Sequence, residues 1–390
     1  MKKFAIALLI FVCGLTSIFN IKISNTFALE NSKKENVTSR SAYLCDPISG
    51  KVIYSKNEEL KLPIASMCKI MTILLSFEEI DNKNMSFDDK IIVSENASGM
   101  GGSQVFLEAN KEYLVEDLIK SIIVASANDA CVAIAEKISG SEQLFVEKMN
   151  EKALSLGMNN TVFTNCTGLP KIGQHSTARD VSIMFSNLIK HKDYFRFSNI
   201  WTDEIKHDND RITGITNTNK LVRFYPGCDG GKTGCTSESG HCLCATASRD
   251  GTRLVSVVIS APDSKTRFKE VSNMFNYGFA NFENKTIIDA DKPLDVDVKV
   301  EKGKADTLKV AVEKPISIFS KKGEKHDVEI SFTPKQKVVA PVKVGDIIGK
   351  LTAYENGVEI STVNVVSLEN VEKSCYFDYI KDISKNWSII

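Results

Sequence analysis

Ser66 and Lys69 lie three residues apart near the start of the apolar stretch IASMCKIMTILL (residues 64–75), with Cys68 between them. At about 100° per residue on an α-helix, Ser66 and Lys69 are about 60° apart, whereas Cys68 points roughly 200° from Ser66. Nearly all the other residues are apolar, so the helix is predicted to be buried, and burial lowers the pKa of a lysine toward that of a usable base. Because a serine hydroxyl needs an adjacent base to attack a carbonyl, the stretch predicts a Ser66–Lys69 pair and places Cys68 in the core.

Two further motifs carry groups that could complete such a site. An S-x-N motif, Ser126 and Asn128, falls at a break between two helical patterns, where its side chains could project into a cleft. A K-T-G motif begins at Lys232, follows two glycines and opens a strand pattern. Taken singly, S-x-x-K, S-x-N and K-T-G are also typical of a helix start, a capping turn and a strand start. Their occurrence together, in this order, favours a site over chance.

The elements around these motifs predict an α+β domain. SAYLCDPISGKVIYSKN (residues 41–57) indicates two strands around a Pro-x-x-Gly turn. Helical patterns dominate from residue 64 to about residue 157 and include 114–125 and 130–138. Strand patterns return at GGKTGCT, HCLCATASRD and TRLVSVVISA, and a helix is predicted over 264–281. Strands from both ends of the segment would therefore form one sheet, with a helical insertion between them.

The composition changes after about residue 283. Residues 291–367 carry alternating stretches such as LDVDVKV and HDVEISF, with Gly, Lys and Pro between them, which predicts a small all-β sandwich domain. The final segment, 371–390, places apolar residues three and four apart from Tyr376 to Ile390. This stripe fits an amphipathic helix on a membrane surface or a helix docked on its own domain, and the sequence leaves both open.

The N-terminus and the charge balance bear on where the protein works. Two lysines, an apolar run and a Thr-Phe-Ala ending at Ala28 predict a secretory signal over 1–28, followed by a flexible mature N-terminus over 29–41. The apolar run is roughly 16 residues, shorter than the ~20 of a spanning helix. Lys+Arg and Asp+Glu both total 49, so the charge gives no indication of a nucleic-acid partner. The ten cysteines show neither a compact disulfide framework nor paired metal-site spacing.

In combination, these motifs resemble a known family. S-x-x-K, S-x-N and K-T-G are the three motifs of penicillin-binding proteins and serine β-lactamases. The segments IASMCKIMT, SANDA, NCTGLP, HSTARD, FYPGCDGGKTGCT and TASRDGTRLVSVVIS are similar to those of the low-molecular-mass D-alanyl-D-alanine carboxypeptidases of bacteria. The resemblance implies a penicillin-binding, β-lactamase-like transpeptidase domain over 42–283, an antiparallel sheet with a helical subdomain. The β-rich segment and the tail also resemble that family's C-terminal domain and membrane-binding end.

The resemblance implies a serine peptidase that removes D-alanine from peptidoglycan stem peptides ending in D-Ala-D-Ala, is acylated by β-lactam antibiotics and needs no cofactor or metal. Ser66 would attack the carbonyl of the penultimate D-alanine, with Lys69 as base. Ser126 would relay a proton to the leaving amine beside the positive charge of Lys232, and Asn128 would hold the substrate backbone. Such a protein is exported to the outer face of the cytoplasmic membrane or to the cell wall.

The remaining implied residues bind the substrate. Thr233 would bind the terminal carboxylate next to Gly234 of the K-T-G motif. Arg267, which matches the arginine of the family's Arg-Phe-x-Glu pattern, would assist it. Backbone N–H groups of the nucleophilic serine and of Cys235 would form the oxyanion hole, a role that is indifferent to the side chain. The family usually has a larger or polar residue at the position of Cys235, and beside a lysine-lined cleft this thiol could be modifiable.

Three other functions stay open from the sequence. A class A-type β-lactamase needs a deacylating glutamate, and Glu147 has the right type but lies inside a helical pattern about 20 residues after Ser126. A penicillin-binding sensor, or a weak β-lactamase with little peptidase turnover, would carry the same motifs. A zinc peptidase is suggested only superficially by Glu204 and His207, which are predicted to face solvent on a strand or loop.

Overall fold

The structure is a computed structural model that describes residues 37–290, 292–378 and 380. The predicted signal over 1–28 and most of the predicted N-terminal segment lie outside the described residues. In chain order, the strands are β1 (Ser41–Cys45), β2 (Val52–Lys56), β3 (Lys90–Ile92), β4 (Glu112–Leu114), β5 (Thr202–Lys206), β6 (Ile212–Thr216), β7 (Cys228–Thr236), β8 (Gly240–Arg249), β9 (Thr252–Ala261), β10 (Phe282–Ile288), β11 (Val298–Lys299), β12 (Thr307–Leu308), β13 (Val310–Val312), β14 (Ile316–Lys321), β15 (Val328–Pro334), β16 (Ile347–Glu355) and β17 (Val358–Ser367).

In chain order, the α-helices are α1 (Lys69–Asp81), α2 (Glu95–Ser98), α3 (Val115–Ala125), α4 (Asn128–Ser139), α5 (Glu142–Ser155), α6 (Ala178–Leu188), α7 (Tyr194–Ser198), α8 (Leu221–Phe224) and α9 (Ser264–Asn281). Ser141 caps α5 by accepting a hydrogen bond from the backbone N–H of Leu144, and Asp263 caps α9 in the same way from Thr266.

Five antiparallel strands form the central sheet in the order β2-β1-β9-β8-β7. They come from both ends of the segment over 41–281, with helices α1 to α8 between β2 and β7 and α9 after β9, so the predicted α+β layout is confirmed. Along β1, Tyr43 and Cys45 face one hydrophobic core, whereas Ala42 and Leu44 face another. The sheet is therefore buried on both faces, which is why its strands carry nearly continuous apolar runs.

A helix covers each face of this sheet. On one face, Val271 and Phe275 of α9 share a core with Leu44, and the helix predicted over 264–281 is confirmed. On the other face, Val181 and Phe185 of α6 belong to the large core that includes the helical part of the molecule. The sheet thus lies between α9 and the helical domain. The motif residues lie on the side of the sheet that faces the helical domain.

Helix α1 is the buried centre of the helical domain. Every residue from Lys69 to Phe77 is buried, as the sequence predicts. The start of the helix differs from the prediction, because Ala65–Cys68 form a 3₁₀ turn and the α-helix begins only at Lys69. A 3₁₀ helix has about three residues per turn, so residues three apart lie almost one above the other. Ser66 is therefore closer in direction to Lys69 than an α-helix would place it.

The C-terminal domain is all β, as predicted. Strand β10 follows α9 directly and pairs with β14, and β13-β17-β16-β15 form a four-stranded sheet. The rings of Phe282 in β10 and Phe319 in β14 stack with centroids 5.6 Å apart. Lys51, in the turn between β1 and β2, donates a hydrogen bond of 3.3 Å to the carbonyl oxygen of Phe319. The hydrogen bond of Lys51 thus joins the β domain to the edge of the five-stranded sheet.

The predicted tail helix does not begin at residue 371. Val371 and Lys373 form isolated antiparallel bridges with Val342 and Gly303 of the β domain, and helical residues begin at Tyr376. Residues 379 and 381–390, which carry most of the predicted amphipathic stripe, lie outside the described residues. Across the described part of the chain, no helix is both long enough and apolar enough to cross a membrane.

Candidate active site

Ser66 and Lys69 form the centre of the candidate site. Lys69 Nζ lies 3.1 Å from Ser66 Oγ and donates a hydrogen bond of 2.6 Å to the carbonyl oxygen of Thr167. Lys69 is fully buried, and burial lowers its pKa below the ordinary lysine value because a low-dielectric surrounding disfavours the ammonium form. A lysine of this kind can supply the neutral amine that takes a proton from a serine hydroxyl.

The backbone around Ser66 is tightly constrained. Ala65 has φ of 47°, in the left-handed region that residues with a Cβ rarely adopt. Gly168, with φ of +83°, packs against it so closely that a Cβ there would lie 2.1 Å from the carbonyl oxygen of Ala65 and 2.9 Å from the backbone nitrogen of Ser66. Local strain that the surrounding structure holds in place is common at functional sites, where it fixes a reacting group.

Cys68 lies in the core, as the sequence predicts. It is fully buried, and its Sγ donates a hydrogen bond of 3.2 Å to the carbonyl oxygen of Asn165. Burial raises the pKa of Cys68 well above the ordinary thiol value, so the group stays a protonated thiol. Of the two candidate nucleophiles in this stretch, only Ser66 has the lysine amine beside it.

Ser126 and Lys232 form a second hydroxyl–amine pair. Ser126 occupies the turn between α3 and α4 with φ of 64°, and this left-handed residue ends α3. Lys232 Nζ lies 2.7 Å from Ser126 Oγ, and both residues are buried. Burial lowers the pKa of Lys232 well below its ordinary value, and the neighbouring positive charge of Lys69 lowers it further. Lys232 on the sheet thus meets Ser126 on the helical domain.

Asn128 is held by the loop that contains Gly101 and Ser103. Its Nδ2 donates a hydrogen bond of 2.6 Å to the carbonyl oxygen of Gly101, and its backbone N–H donates one of 2.7 Å to Ser103. Its Oδ1 is buried and has no hydrogen-bond partner among the described residues. Because a buried amide oxygen normally has a donor, this atom is a ready acceptor for a substrate N–H.

The K-T-G strand, β7, packs directly on the turn that carries Ser66. A Cβ at Gly234 would lie 2.5 Å from the carbonyl oxygen of Ile64 and 3.3 Å from the backbone nitrogen of Met67. Thr233, just before it, is 7% exposed, and Cys235, just after it, is exposed. The absence of a side chain at Gly234 therefore lets the backbone of β7 lie beside the backbone of the turn that carries Ser66.

Arg267 reaches β7 from helix α9. Its Nη1 donates hydrogen bonds of 3.1 Å to the carbonyl oxygen of Gly234 and 3.2 Å to that of Cys242. The residue is 9% exposed, and its Nε is buried with no acceptor among the described residues. Burial lowers the pKa of Arg267 below the usual arginine value. The guanidinium thus places a positive charge immediately behind Gly234 while it ties β7 to β8.

The sequence did not assign a role to the segment around Thr167 or to the loop at Gly101. Both supply backbone carbonyls, to Lys69 and Asn128 respectively, and backbone groups leave no residue-type signature. The available signal was Gly168 inside NCTGLP, because a glycine is required where two backbones meet closely.

The residues of the zinc and β-lactamase alternatives lie elsewhere. His207 is only 9% exposed, so its predicted exposure to solvent is wrong. Its ring makes hydrogen bonds of 2.8 Å with Tyr113 of β4 and 2.9 Å with Thr213 of β6, which hold it between these two strands. Within the residues that the structure describes, no group of three or more His, Cys, Asp or Glu side chains could hold a metal ion. Glu147 is exposed on the surface of α5.

A serine with a buried lysine beside it, between an antiparallel sheet and a helical domain, is the arrangement of a class: the serine acyl-transfer enzymes that carry an S-x-x-K motif. Comparison with protein families agrees with this class. The family model described as D-alanyl-D-alanine carboxypeptidase matches residues 28–263, and the one described as the penicillin-binding protein 5 C-terminal domain matches residues 282–373.

Individual relatives cover nearly the whole chain. The D-alanyl-D-alanine carboxypeptidase DacF of Bacillus subtilis is 37% identical over 392 residues, which is 100% of this chain and 99% of the relative. DacC of Escherichia coli is 32% identical and covers 91% of this chain and 90% of its own length. Among solved structures, penicillin-binding protein 5 from Haemophilus influenzae superposes with a TM-score of 0.66 at 29% identity, over 88% of this chain and 100% of that one.

The chain belongs to the D-alanyl-D-alanine carboxypeptidase family of low-molecular-mass penicillin-binding proteins. Its fold is accordingly that family's α+β catalytic domain followed by an all-β C-terminal domain. The resemblance drawn from the sequence motifs is confirmed.

Proposed function

We propose that the protein is a serine-type D-Ala-D-Ala carboxypeptidase that removes the terminal D-alanine from the pentapeptide stems of peptidoglycan. The observation that carries this proposal is the pair of hydroxyl–amine contacts in the site. Lys69 Nζ lies 3.1 Å from Ser66 Oγ, and Lys232 Nζ lies 2.7 Å from Ser126 Oγ. The first pair can activate a nucleophile, and the second can deliver a proton to a leaving group. Membership of the family supports the same reaction.

In acylation, Ser66 Oγ attacks the carbonyl carbon of the penultimate D-alanine while the neutral amine of Lys69 takes the hydroxyl proton. The tetrahedral intermediate then collapses and the peptide C–N bond breaks. The leaving amine takes the proton that Lys69 accepted, relayed through the hydroxyl of Ser126, so Lys69 is neutral again. D-Alanine leaves, and the shortened peptide stays on Ser66 as an ester. A water molecule then attacks the ester carbonyl and gives a proton to the neutral amine of Lys69. The ester bond to Ser66 Oγ breaks, Lys69 returns the proton to this oxygen, and the shortened peptide leaves as a carboxylic acid.

Four groups bind the substrate in this account. Oδ1 of Asn128 accepts an N–H from the peptide, since its Nδ2 is already committed to Gly101. The Thr233 hydroxyl binds the terminal carboxylate, in the positive field of Arg267 and Lys232. The backbone N–H of Cys235 and that of the nucleophilic serine stabilise the oxyanion, because Gly234 holds their two segments together.

β-Lactam antibiotics would react at the same atoms. Their cyclic amide carbonyl replaces the scissile D-Ala-D-Ala carbonyl, and its opening leaves an acyl group on Ser66. The amine formed on ring opening stays attached to that acyl group. A leaving group that cannot diffuse away blocks the approach of water, so the proposed enzyme is inhibited covalently.

For location, we propose export with a cleaved signal over 1–28 and a mature N-terminus over 29–41. The catalytic domain, residues 42–283, and the β domain that follows it, residues 291–367, would then lie outside the cytoplasmic membrane. The tail over 371–390 would rest on the membrane surface. Tyr376, Phe377 and Ile380 are exposed at its start, which supports this role.

The test is to incubate the purified protein with a peptide ending in D-Ala-D-Ala and to measure free D-alanine. We expect release by the wild type, none by Ser66→Ala, and no effect of a chelator. Labelling of Ser66 by penicillin without D-alanine release would favour a penicillin-binding sensor. Rapid penicillin hydrolysis without peptide cleavage would favour a β-lactamase. Release that survives Ser66→Ala but is lost with a chelator would favour a zinc peptidase.

A further inference from the structure

A short backbone segment, residues 165–168, lies behind the nucleophile and touches both halves of the Ser66–Lys69 pair. Its Thr167 carbonyl accepts the 2.6 Å hydrogen bond from Lys69 Nζ. Its Gly168 packs on the peptide between Ala65 and Ser66. A movement of this segment would therefore change both the place of the amine and the turn that carries the hydroxyl.

Buried side chains hold the carbonyl oxygens of this segment. Cys68 Sγ donates to the carbonyl oxygen of Asn165 at 3.2 Å. Thr72 Oγ1 and Cys131 Sγ donate to the carbonyl oxygen of Cys166 at 2.9 Å and 3.1 Å. All three donors are fully buried on α1, α4 or the turn before α1. The thiols of Cys68 and Cys131, which take no part in the proposed reaction, thus donate hydrogen bonds that hold the backbone of residues 165–168.

The segment is held from the other side by Glu142, the first residue of α5. Its Oε1 accepts a hydrogen bond of 3.1 Å from the backbone N–H of Cys166 and one of 3.2 Å from the thiol of the same residue. The carbonyl of Thr167 belongs to the next residue along, so Glu142 lies one residue away from the group that binds Lys69.

We propose that Glu142 is a positioning residue for the catalytic lysine: its carboxylate fixes the backbone of Cys166, and through it the Thr167 carbonyl that places Lys69 Nζ beside Ser66 Oγ. The proposal rests on the proposed function, because it concerns the acylation step of that reaction. It assigns a role to a side chain that does not itself reach the reacting atoms.

The proposal predicts a direction of change with pH. The Thr167 carbonyl favours the ammonium form of Lys69, since a hydrogen bond to the charged form stabilises it. A loosened carbonyl would lower the pKa of Lys69 further. Because the neutral amine is the reactive form, the acid limb of the acylation rate would move to lower pH, while the maximal rate would fall because the amine is misplaced. The other titratable groups that face Lys69 are Lys232, Asp129 and the buried thiols Cys68, Cys131 and Cys166.

The experiment measures acylation by a fluorescent penicillin across pH for the full-length wild type and four variants. Glu142→Ala removes the acceptor, Glu142→Asp keeps the charge but shortens the reach, and Glu142→Gln keeps an acceptor oxygen at the same reach without the charge. Glu147→Ala is the matched control, because this residue is exposed on the same helix. Thermal unfolding and D-alanine release are recorded for every variant.

We expect Glu142→Ala and Glu142→Asp to lower the maximal acylation rate about tenfold to a hundredfold, the loss that a small misplacement of a catalytic group causes. Their acid limbs should move to lower pH. Glu142→Gln should retain most of the rate, and Glu147→Ala should match the wild type. If Glu142→Ala destabilises the protein, Glu142→Asp and Glu142→Gln are compared instead, well below their melting temperatures. These two variants separate the effect of side-chain length on the acylation rate from the effect of the negative charge.

Two results would overturn the inference: a rate and an acid limb in Glu142→Ala equal to those of the wild type, or a loss in Glu142→Gln with the rate kept in Glu142→Asp. The second result would mean that the charge acts, not the hydrogen bond. Failure of the proposed function has a different signature, since in that case the wild type itself would release no D-alanine.

Discussion

At the residue scale, the site depends on two lysines that are buried beside hydroxyl and carbonyl oxygens. Lys69 is held by Ser66 and Thr167, and Lys232 is held by Ser126. Burial lowers the pKa of both, and the charge of Lys69 lowers that of Lys232 further. A lysine with a lowered pKa favours catalysis, because it supplies a neutral amine. It opposes folding, because it binds a proton more weakly in the folded than in the unfolded chain.

Replacing Lys69, the proposed base, should separate activity from stability. Because the pKa of Lys69 is lower in the folded than in the unfolded state, the unfolded state binds more protons between the lowered and the ordinary lysine pKa. Stability is lost as the pH falls through this window, so the residue destabilises the fold at neutral pH. Lys69→Met should therefore abolish acylation by penicillin and leave the free energy of unfolding unchanged or about 1 kcal/mol higher. The measurements are penicillin labelling and urea unfolding at pH 7.

The control for this prediction is Lys137→Met, which removes an exposed lysine from α4 and should change neither quantity. A Lys69→Met variant that is still acylated at the wild-type rate would show that Lys69 is not the base. One that unfolds far more easily than the wild type would show that the lysine contributes net stability through its hydrogen bonds.

The thiols differ in access, which makes Cys235 a natural reporter of the cleft. Cys235 and Cys375 are exposed, whereas the other cysteines from Cys45 onward are buried. A thiol reagent should label these two residues in the folded protein, and labelling of Cys235 should slow acylation because it lies beside the K-T-G strand. Cys375→Ser should lose one label and keep this inhibition, whereas Cys235→Ser should escape it. Labelling that spares Cys235 would refute the prediction of an accessible thiol.

At the element scale, two backbone segments pack directly on the turn that carries Ser66, each at a glycine that has no side chain to separate them. Strand β7 contacts the Ser66 turn at Gly234, and the segment 165–168 contacts the same turn at Gly168. The turn itself begins with Ala65 in the left-handed region. Close backbone contacts of this kind transmit small shifts directly, so the position of Ser66, the proposed nucleophile, depends on elements that are far away in the sequence.

The contact at Gly168 can be tested against a glycine nearby. Gly168 and Gly173 both have positive φ, but a Cβ at Gly173 would meet only a methyl group of Thr164, at 3.9 Å. Gly173→Ala should therefore cost about 1–2 kcal/mol of stability, the cost of the left-handed conformation. Gly168→Ala adds the clash with Ala65, so it should cost about 1–3 kcal/mol more and also lower acylation.

Unfolding and penicillin labelling of both variants check this prediction. Equal stability and equal acylation in the two alanine variants would show that the backbone contact at Gly168 does not hold the nucleophile's turn.

Much of this arrangement followed from the sequence, and the exceptions share a physical cause. Alternating and helical patterns predicted the sheet built from both ends, α9, and the burial of Lys69 and Cys68. The 3₁₀ turn at Ser66, the role of the Thr167 carbonyl and the burial of His207 did not follow. Each of these depends on a contact between segments distant in the sequence, which residue types and periodicity do not record.

At the scale of the whole molecule, the β domain continues from the catalytic domain without a break. β10 begins where α9 ends and pairs within the β domain, and Phe282 stacks on Phe319. At the other end of this domain, Val371 and Lys373 are bridged to it, and the exposed Tyr376 and neighbouring apolar residues follow. The exposed apolar segment that begins at Tyr376 therefore follows a β domain that is itself attached to the catalytic domain.

Removal of this segment should affect membrane binding alone. A chain ending at Lys373 keeps both bridges to the β domain and loses the exposed apolar residues. It should release D-alanine from a soluble peptide at the full-length rate but should no longer sediment with vesicles of anionic phospholipid. Vesicle binding that persists in the truncated chain would assign it to another surface. Absence of binding by the full-length chain would favour a tail docked on the protein.

The most direct test of the whole account is to find the atom that becomes acylated. After brief reaction with penicillin, tryptic digestion should release peptide 62–69, which contains both Ser66 and Cys68. Fragmentation of this peptide should place the penicilloyl group on Ser66. In Lys69→Met the corresponding tryptic peptide extends over 62–83, and it should carry no penicilloyl group. A label on Cys68, or on any residue outside this peptide, would contradict the assignment of Ser66 as the nucleophile activated by a buried lysine.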